Sequence, residues 1–249
     1  MAASRDKLVD KQVVVVGGSS GIGYGAALAL LEHGAHVTII SSSQSKVDAI
    51  TAKVQNAKLK GHVGNVRDEA AFTQLLLSLA PIDHLIFSGV DKIIRGPIAD
   101  ANFDECRHLF GVKFWGSAVC GKAAAKHDII RPGGSLTLTS GTGGVDPGVT
   151  ASIGGALNAG LFTMTRGLAQ ELKEKKIRVN CVVPGIVATE LWDKMGMEDQ
   201  ETKLKKMGDA LPVGFCGTPE HIAEAYLYAV RADYATGSLI TIDGGGSLH

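Results

Sequence analysis

The sequence predicts an α/β fold: one doubly wound domain with a parallel sheet of about seven strands and helices on both faces. Short β-rich apolar runs alternate with longer segments of helical period along the whole chain, and a glycine-rich turn links the first run to the first segment. No repeat, low-complexity tract or Pro/Ser-rich linker interrupts this alternation, so the 249 residues are read as a single domain.

Val13 to Val16, Val37 to Ile40, Leu85 to Phe87, Leu136 to Thr139, Val179 to Val183 and Leu239 to Ile242 read as strands. Their apolar, β-rich character suits a sheet buried on both faces. Amphipathic stretches near Tyr24 to His33, Val47 to Gln55, Glu69 to Leu79, Phe103 to Lys126, Ala156 to Lys175 and His221 to Val230 read as the helices between them. The order implies βαβ units with right-handed crossovers.

Twenty-five basic residues balance twenty-five acidic ones, so no overall field attracts nucleic acid or an anionic membrane, and a small-molecule partner is favoured. The segment MAASRDKLVDK lacks an apolar signal core, and no later stretch offers eighteen uninterrupted apolar residues; a soluble, cytoplasmic protein is expected. Cys106, Cys120, Cys181 and Cys216 are widely spaced, with no metal-ligand pattern, and read as buried free thiols.

The turn after the first strand is VGGSSGIG, Val16 to Gly23, and it opens the first helix. Gly17, Gly21 and Gly23 permit a tight turn and close backbone approach, and the helix N-terminus behind them offers N–H groups and a positive dipole end to a pyrophosphate.

The spacing G-x-x-x-G-x-G resembles the cofactor loop of the short-chain dehydrogenase/reductase family, with Val16 where threonine is usual. Further resemblance lies in GNVRD (Gly64 to Asp68), which corresponds to the segment beside the adenine. RVNCVVPGIVATEL (Arg178 to Leu191) resembles the Pro-Gly segment beside the nicotinamide, and TGSLITIDGG (Thr236 to Gly245) the final strand. The resemblance covers nearly the whole chain and implies a Rossmann fold. It also implies cofactor contacts from Gly17, Ser19, Ser20, Gly21, Ile22, Gly23, Asn65, Val66, Ser88, Gly89, Asn158, Pro184, Gly185, Val187 and Thr189.

At the end of the second strand an acidic side chain would bind a ribose 2′-hydroxyl and repel a 2′-phosphate. Here Ser41 and Ser42 stand in that place, with Lys46 nearby, so NADP(H) is the expected cofactor; the alternative is that the serines merely form a polar turn.

The departures from the family pattern concern the proton. Phe87-Ser88-Gly89-Val90 replaces the family's Asn-Asn-Ala-Gly, and Phe110 aligns with its relay asparagine. Ser140 is kept, but the catalytic tyrosine and lysine positions read Gly154 and Asn158. The four tyrosines are Tyr24, Tyr226, Tyr228 and Tyr234, and no lysine falls between Lys126 and Lys173, so no local shift of alignment restores the pair.

Ketone reduction builds an alkoxide that needs a proton, whereas an iminium that accepts hydride becomes a neutral amine without one. Asp146, in GGVDPGV, is a candidate counter-charge, with turn formation as its plainer role. Lys113 is a candidate cation for cofactor or substrate oxygens, or else a solvated helix residue. Ser140 either orients a polar substrate group or holds its loop.

These departures resemble the non-standard family members of fungal alkaloid biosynthesis, including the reductase/Diels–Alderase group of malbrancheamide-type pathways. That resemblance implies NADPH-dependent reduction or cyclisation of an iminium-type intermediate, with Ser140, Asp146 and Lys113 as catalytic residues. A carbonyl or alcohol oxidoreductase with a relocated proton donor, and a non-catalytic NADP-binding sensor or scaffold, stay open. Family resemblance also implies a homodimer or homotetramer built on the helices near 103 to 126 and 155 to 175. A substrate-covering lid is expected at about 188–214, and Trp115, Trp192 and Phe215 are expected either to wall an apolar pocket or to sit in the core.

Overall fold

The computed structural model describes residues 6–193 and 199–248. Seven parallel strands form one sheet in the order β3-β2-β1-β4-β5-β6-β7: β1 (Gln12–Val16), β2 (His36–Ser41), β3 (Leu59–Val63), β4 (Ile82–Phe87), β5 (Ile130–Thr139), β6 (Arg178–Pro184) and β7 (Leu239–Ile242). The helices between them are α1 (Gly21–Glu32), α2 (Gln44–Val54), α3 (Glu69–Leu79), α4 (Phe103–Lys126), α5 (Ser152–Glu171), α6 (Gln200–Asp209) and α7 (Pro219–Arg231).

The pleat of β1 explains the two-faced core. Val14 and Val16 point to the α4 and α5 side, where Phe72, Phe87, Cys120, Leu136 and Phe162 pack. Val13 and Val15 point to the α1 and α7 side, with Leu30, Ile39 and Tyr226. The Tyr226 hydroxyl lies 2.6 Å from Thr139 Oγ1, which donates to Phe87 O at 2.7 Å, so a phenol in the core has its polar end satisfied. Cys106, Cys120 and Cys181 are buried free thiols, while Cys216 is only half-buried.

Two elements differ from expectation. β3 reads LKGHV, half-exposed at the sheet edge, and has no apolar run to announce it. α5 starts at Ser152 and ends at Glu171, with Lys173–Lys175 forming a separate 3₁₀ turn. α6 lies inside the expected lid stretch, of which residues 194–198 fall outside the described residues. Among the described residues no helix is long and apolar enough to cross a membrane.

Arg178, the first residue of β6, is buried and donates to the carbonyls of Ala229 (2.8 Å), Val230 (2.9 Å) and Ala235 (3.2 Å). It thereby closes the C-terminus of α7 and fixes the approach to β7. Nearby, buried His84 has Nδ1 2.9 Å from Ser135 Oγ, and burial, assisted by the Arg178 charge, pushes its pKa down to about 4. Between pH 6.5 and about 4 the unfolded chain therefore binds a proton that the folded chain does not, and stability falls as pH falls through that window. Urea titrations of the protein and of His84→Gln are expected to show an acid slope worth up to about 3 kcal/mol in the former and a flatter one in the variant.

Candidate functional site

The strand order reverses between β1 and β4, and the connections at their carboxyl ends diverge to open a cleft of about 810 Å³. At its phosphate end, Gly17 has φ +81°, and a Cβ there would stand 2.8 Å from Gly89 N. Only a bare Cα fits that crossing of the β1 and β4 loops. Ser20, the N-cap of α1, uses no side chain to cap the helix, which leaves the first N–H groups facing the cleft. These features fit a dinucleotide pyrophosphate.

Every residue expected to contact the cofactor lines the cleft except Gly23. A Cβ at Gly23 would stand 2.2 Å from Ser88 Oγ and 2.4 Å from Gly17 O, so this glycine lets α1 pack against the loop and touches no ligand space. At the β2 end, Ser19 Oγ donates to Ser41 Oγ at 2.9 Å, and Ser42 and Lys46 line the same wall. No carboxylate occurs from Ser41 through Lys46, and Ser43 Oγ also caps α2, so the polar-turn role is real as well.

At the other end, α4, β5 and α5 bring three predicted residues together. Lys113 Nζ donates to Asn158 Oδ1 at 2.8 Å and to Ser140 O at 2.9 Å, and Ser140 Oγ donates to Asn158 O at 2.8 Å. Lys113 is therefore a part-buried cation held by two uncharged oxygens, and burial pushes its pKa down to about 8. The α4 position that faces Asn158 is Lys113; Phe110 lies about one turn earlier and packs against Phe114 with ring centroids 5.7 Å apart. The ammonium that the family pattern places on α5 thus comes from α4, and the amide comes from α5. Ser140 spends its proton on a main-chain carbonyl, which ties β5 to α5 and leaves its oxygen as an acceptor toward the cleft.

Asp146 follows the 3₁₀ turn Thr142–Gly144, is exposed, and accepts from Gly148 N at 3.2 Å. The turn role holds, and the residue also lines the cleft. Trp192 lines it too: the ring is buried and Nε1 donates to Val187 O at 2.8 Å. Trp115 and Phe215 do neither job expected of them, being 60% and 48% exposed and away from the cleft.

Sequence reasoning missed the strap after β4, where Asp91 to Arg95 cross the front of the cleft. Arg67 Nη2 meets Asp91 Oδ2 at 2.6 Å, and Gly96 N donates to Thr150 O at 2.7 Å. A Cβ on Gly154 would stand 2.7 Å from Ile94 O, so part of the space vacated by the tyrosine is filled by main chain.

The SDR-like Rossmann domain family matches residues 4–249. The short-chain dehydrogenase/reductase fsr5 of Gibberella fujikuroi is 33% identical, over 97% of this chain and 96% of its own length. MalC of Malbranchea aurantiaca is 30% identical over 99% and 98%, and the solved MalC reductase/Diels–Alderase superposes with a TM-score of 0.88, at 28% identity over 99% and 100% of the two chains. A small-chain dehydrogenase solved in complex with NADPH gives a TM-score of 0.77 at 29% identity, over 95% and 98%. On this evidence and the geometry of its cleft, the chain belongs to the short-chain dehydrogenase/reductase family and is an oxidoreductase of that type.

Proposed function

We propose that the chain is an NADP(H)-dependent reductase or cyclase acting on an iminium-type or otherwise self-activated small molecule of secondary metabolism. The observation that carries this is the reaction end of the cleft: among the described residues no phenol lines it, Gly154 faces Ile94 O, and Ser140 has its proton committed to Asn158 O. The activities named for MalC and the NADPH of the solved dehydrogenase support the same reading.

Bound here, NADPH supplies a hydride. The chain's own residues position and screen. The glycine turn holds the pyrophosphate, Ser41, Ser42 and Lys46 admit a 2′-phosphate, and Asn158 hydrogen-bonds the nicotinamide ribose. Trp192 and the strap exclude water, while Asp146 offers negative charge toward a cationic substrate. A second reading, a carbonyl or alcohol oxidoreductase, is favoured by Lys113, whose pKa of about 8 suits proton donation near neutrality.

Purified protein with NADPH, offered cyclic iminium and ketone panels, is expected to oxidise the cofactor with iminium only. Ketone turnover at ordinary rates would establish the second reading, and tight NADPH binding with no turnover would favour a sensor. Asp146→Asn is expected to lower iminium turnover about fivefold at low salt, the scale of an exposed charge pair, with NADPH affinity unchanged. The exposed Phe103 and Trp115 on α4 further support a homo-oligomer, which light scattering should show as a dimer or tetramer and a monomer would refute.

A further inference from the structure

Behind the strap lies a second cavity of about 310 Å³. Lys92, Ile93, Ile94 and Arg95 line both it and the main cleft, so the strap is the partition between two spaces. The lining of the second cavity is mixed: Ile93, Ile94, Cys106, Leu109 and Ile153 are apolar, with Cys106 and Leu109 8% and 6% exposed, while Lys92, Arg95, Asp100, Asn102 and Glu105 are polar. Lys92 pairs there with Glu105. Ile153, which lines the second cavity, adjoins Gly154, which lines the main cleft and faces Ile94 O, so the two spaces lie next to each other at Ile94.

The partition is lightly fastened. Its ties include the Arg67–Asp91 and Lys92–Glu105 ion pairs, His108 Nε2 at 3.9 Å from Asp91 Oδ2, and the Gly96 N to Thr150 O hydrogen bond, while Ile93, Ile94 and Arg95 make no backbone–backbone hydrogen bond to a described residue. Such a segment yields at low cost. A dinucleotide laid from Ser41 to Asn158 takes part of the main cleft, and the second cavity adjoins it across the strap, where a longer substrate would extend. The apolar side chains Ile93, Ile94, Leu109 and Ile153 give a hydrocarbon arm a surface to bury against.

We propose that this cavity is a substrate subsite which takes an alkyl or aryl arm, while the reacting end of the same molecule lies between Ser140 and Gly154. The strap sets the length and girth of arm admitted, and Ile94 is its specificity-determining residue. The inference rests on the proposed function for the choice of probe only.

Protein saturated with NADP⁺, which allows no reduction, is titrated by calorimetry with N-methyl-, N-butyl- and N-octyl-3,4-dihydroisoquinolinium salts. Affinity is expected to rise by up to about fourfold for each methylene buried. Cys106→Trp fills the cavity from α4 and should abolish that rise while leaving the N-methyl probe within about twofold of its original affinity. Ala101→Trp, at the cavity edge before α4, is the second filling variant should the first fold poorly. Affinity that does not depend on chain length in the parent protein, or a rise that survives in a folded filling variant, overturns the proposal. A parallel assay with NADPH separates the two inferences: no oxidation with any probe defeats the iminium function, whereas the chain-length gradient alone decides the subsite.

Discussion

Lys113→Met is expected to lower ketone turnover by about 10²-fold and to remove the alkaline limb of its pH profile under the carbonyl-reductase reading, where the charged ammonium is the working form, and to leave iminium reduction, which needs no acid, without that limb. Its folded pKa lies at about 8, below the ordinary 10.5, because burial disfavours the charge. The ammonium therefore predominates below pH 8, and activity that needs it is lost as pH rises through that value. The same shift makes stability rise between about pH 8 and 10.5, where the unfolded chain still holds the proton and the folded chain has released it. Methionine keeps the stem's volume but leaves Ser140 O and Asn158 Oδ1 without their donor. The measurement is kcat/KM from pH 6 to pH 10 for the protein and the variant. A variant that keeps both the rate and the limb would make Lys113 structural only.

The second large effect comes from putting the tyrosine and lysine back. Gly154→Tyr/Asn158→Lys restores the family residues in sequence yet is expected to yield no gain in ketone reduction, together with a drop in Tm of about 6–12 °C, corresponding to roughly 3 kcal/mol in a domain of this size. The tyrosine Cβ would meet Ile94 O at 2.7 Å, so the strap must leave its place. The new ammonium would face Lys113 and would remove the amide that now accepts from it. Adding Lys113→Asn exchanges the two helices' contributions and should recover most of the loss caused by Asn158→Lys, but none of the loss caused by the ring. Thermal unfolding of the double and triple variants tests this; wild-type Tm in the double variant would show that the strap resists less than its contacts suggest.

The parts of the fold that could be read in the sequence are those with a repeating physical cause. Strands of a covered sheet need short runs rich in apolar and β-branched residues, and β1, β2, β4, β5, β6 and β7 have them. β3 sits at an edge, where Lys60 and Val63 are exposed, and its pairing with β2 makes it a strand. In the site, the glycine turn was legible because pyrophosphate binding demands bare Cα atoms at fixed spacing. Gly23 obeys the same spacing for a different reason, helix packing, which spacing cannot distinguish.

The encounter of Lys113 with Asn158 and Ser140 was not legible. It depends on which face of α4 meets α5, and alignment placed Phe110 there, about one turn too early. The strap was hidden because DKIIRGPIAD has neither helical nor strand period; it owes its position to ion pairs with Arg67 and Glu105 that lie far away or on another element.

The capping of α7 by Arg178 bears on how the protein comes into being. β6 leaves the ribosome before α7, and until Ala229, Val230 and Ala235 follow, the Arg178 guanidinium has none of its three acceptors. Until they arrive the guanidinium keeps its water, and the face of β6 that α7 covers with Ile222, Tyr226 and Val230 stays open. The Pro-Gly wall of the cleft continues from β6. A truncated translation product would thus retain the glycine turn but not a finished cofactor site, and a dinucleotide could begin to act as a folding ligand only near the end of synthesis.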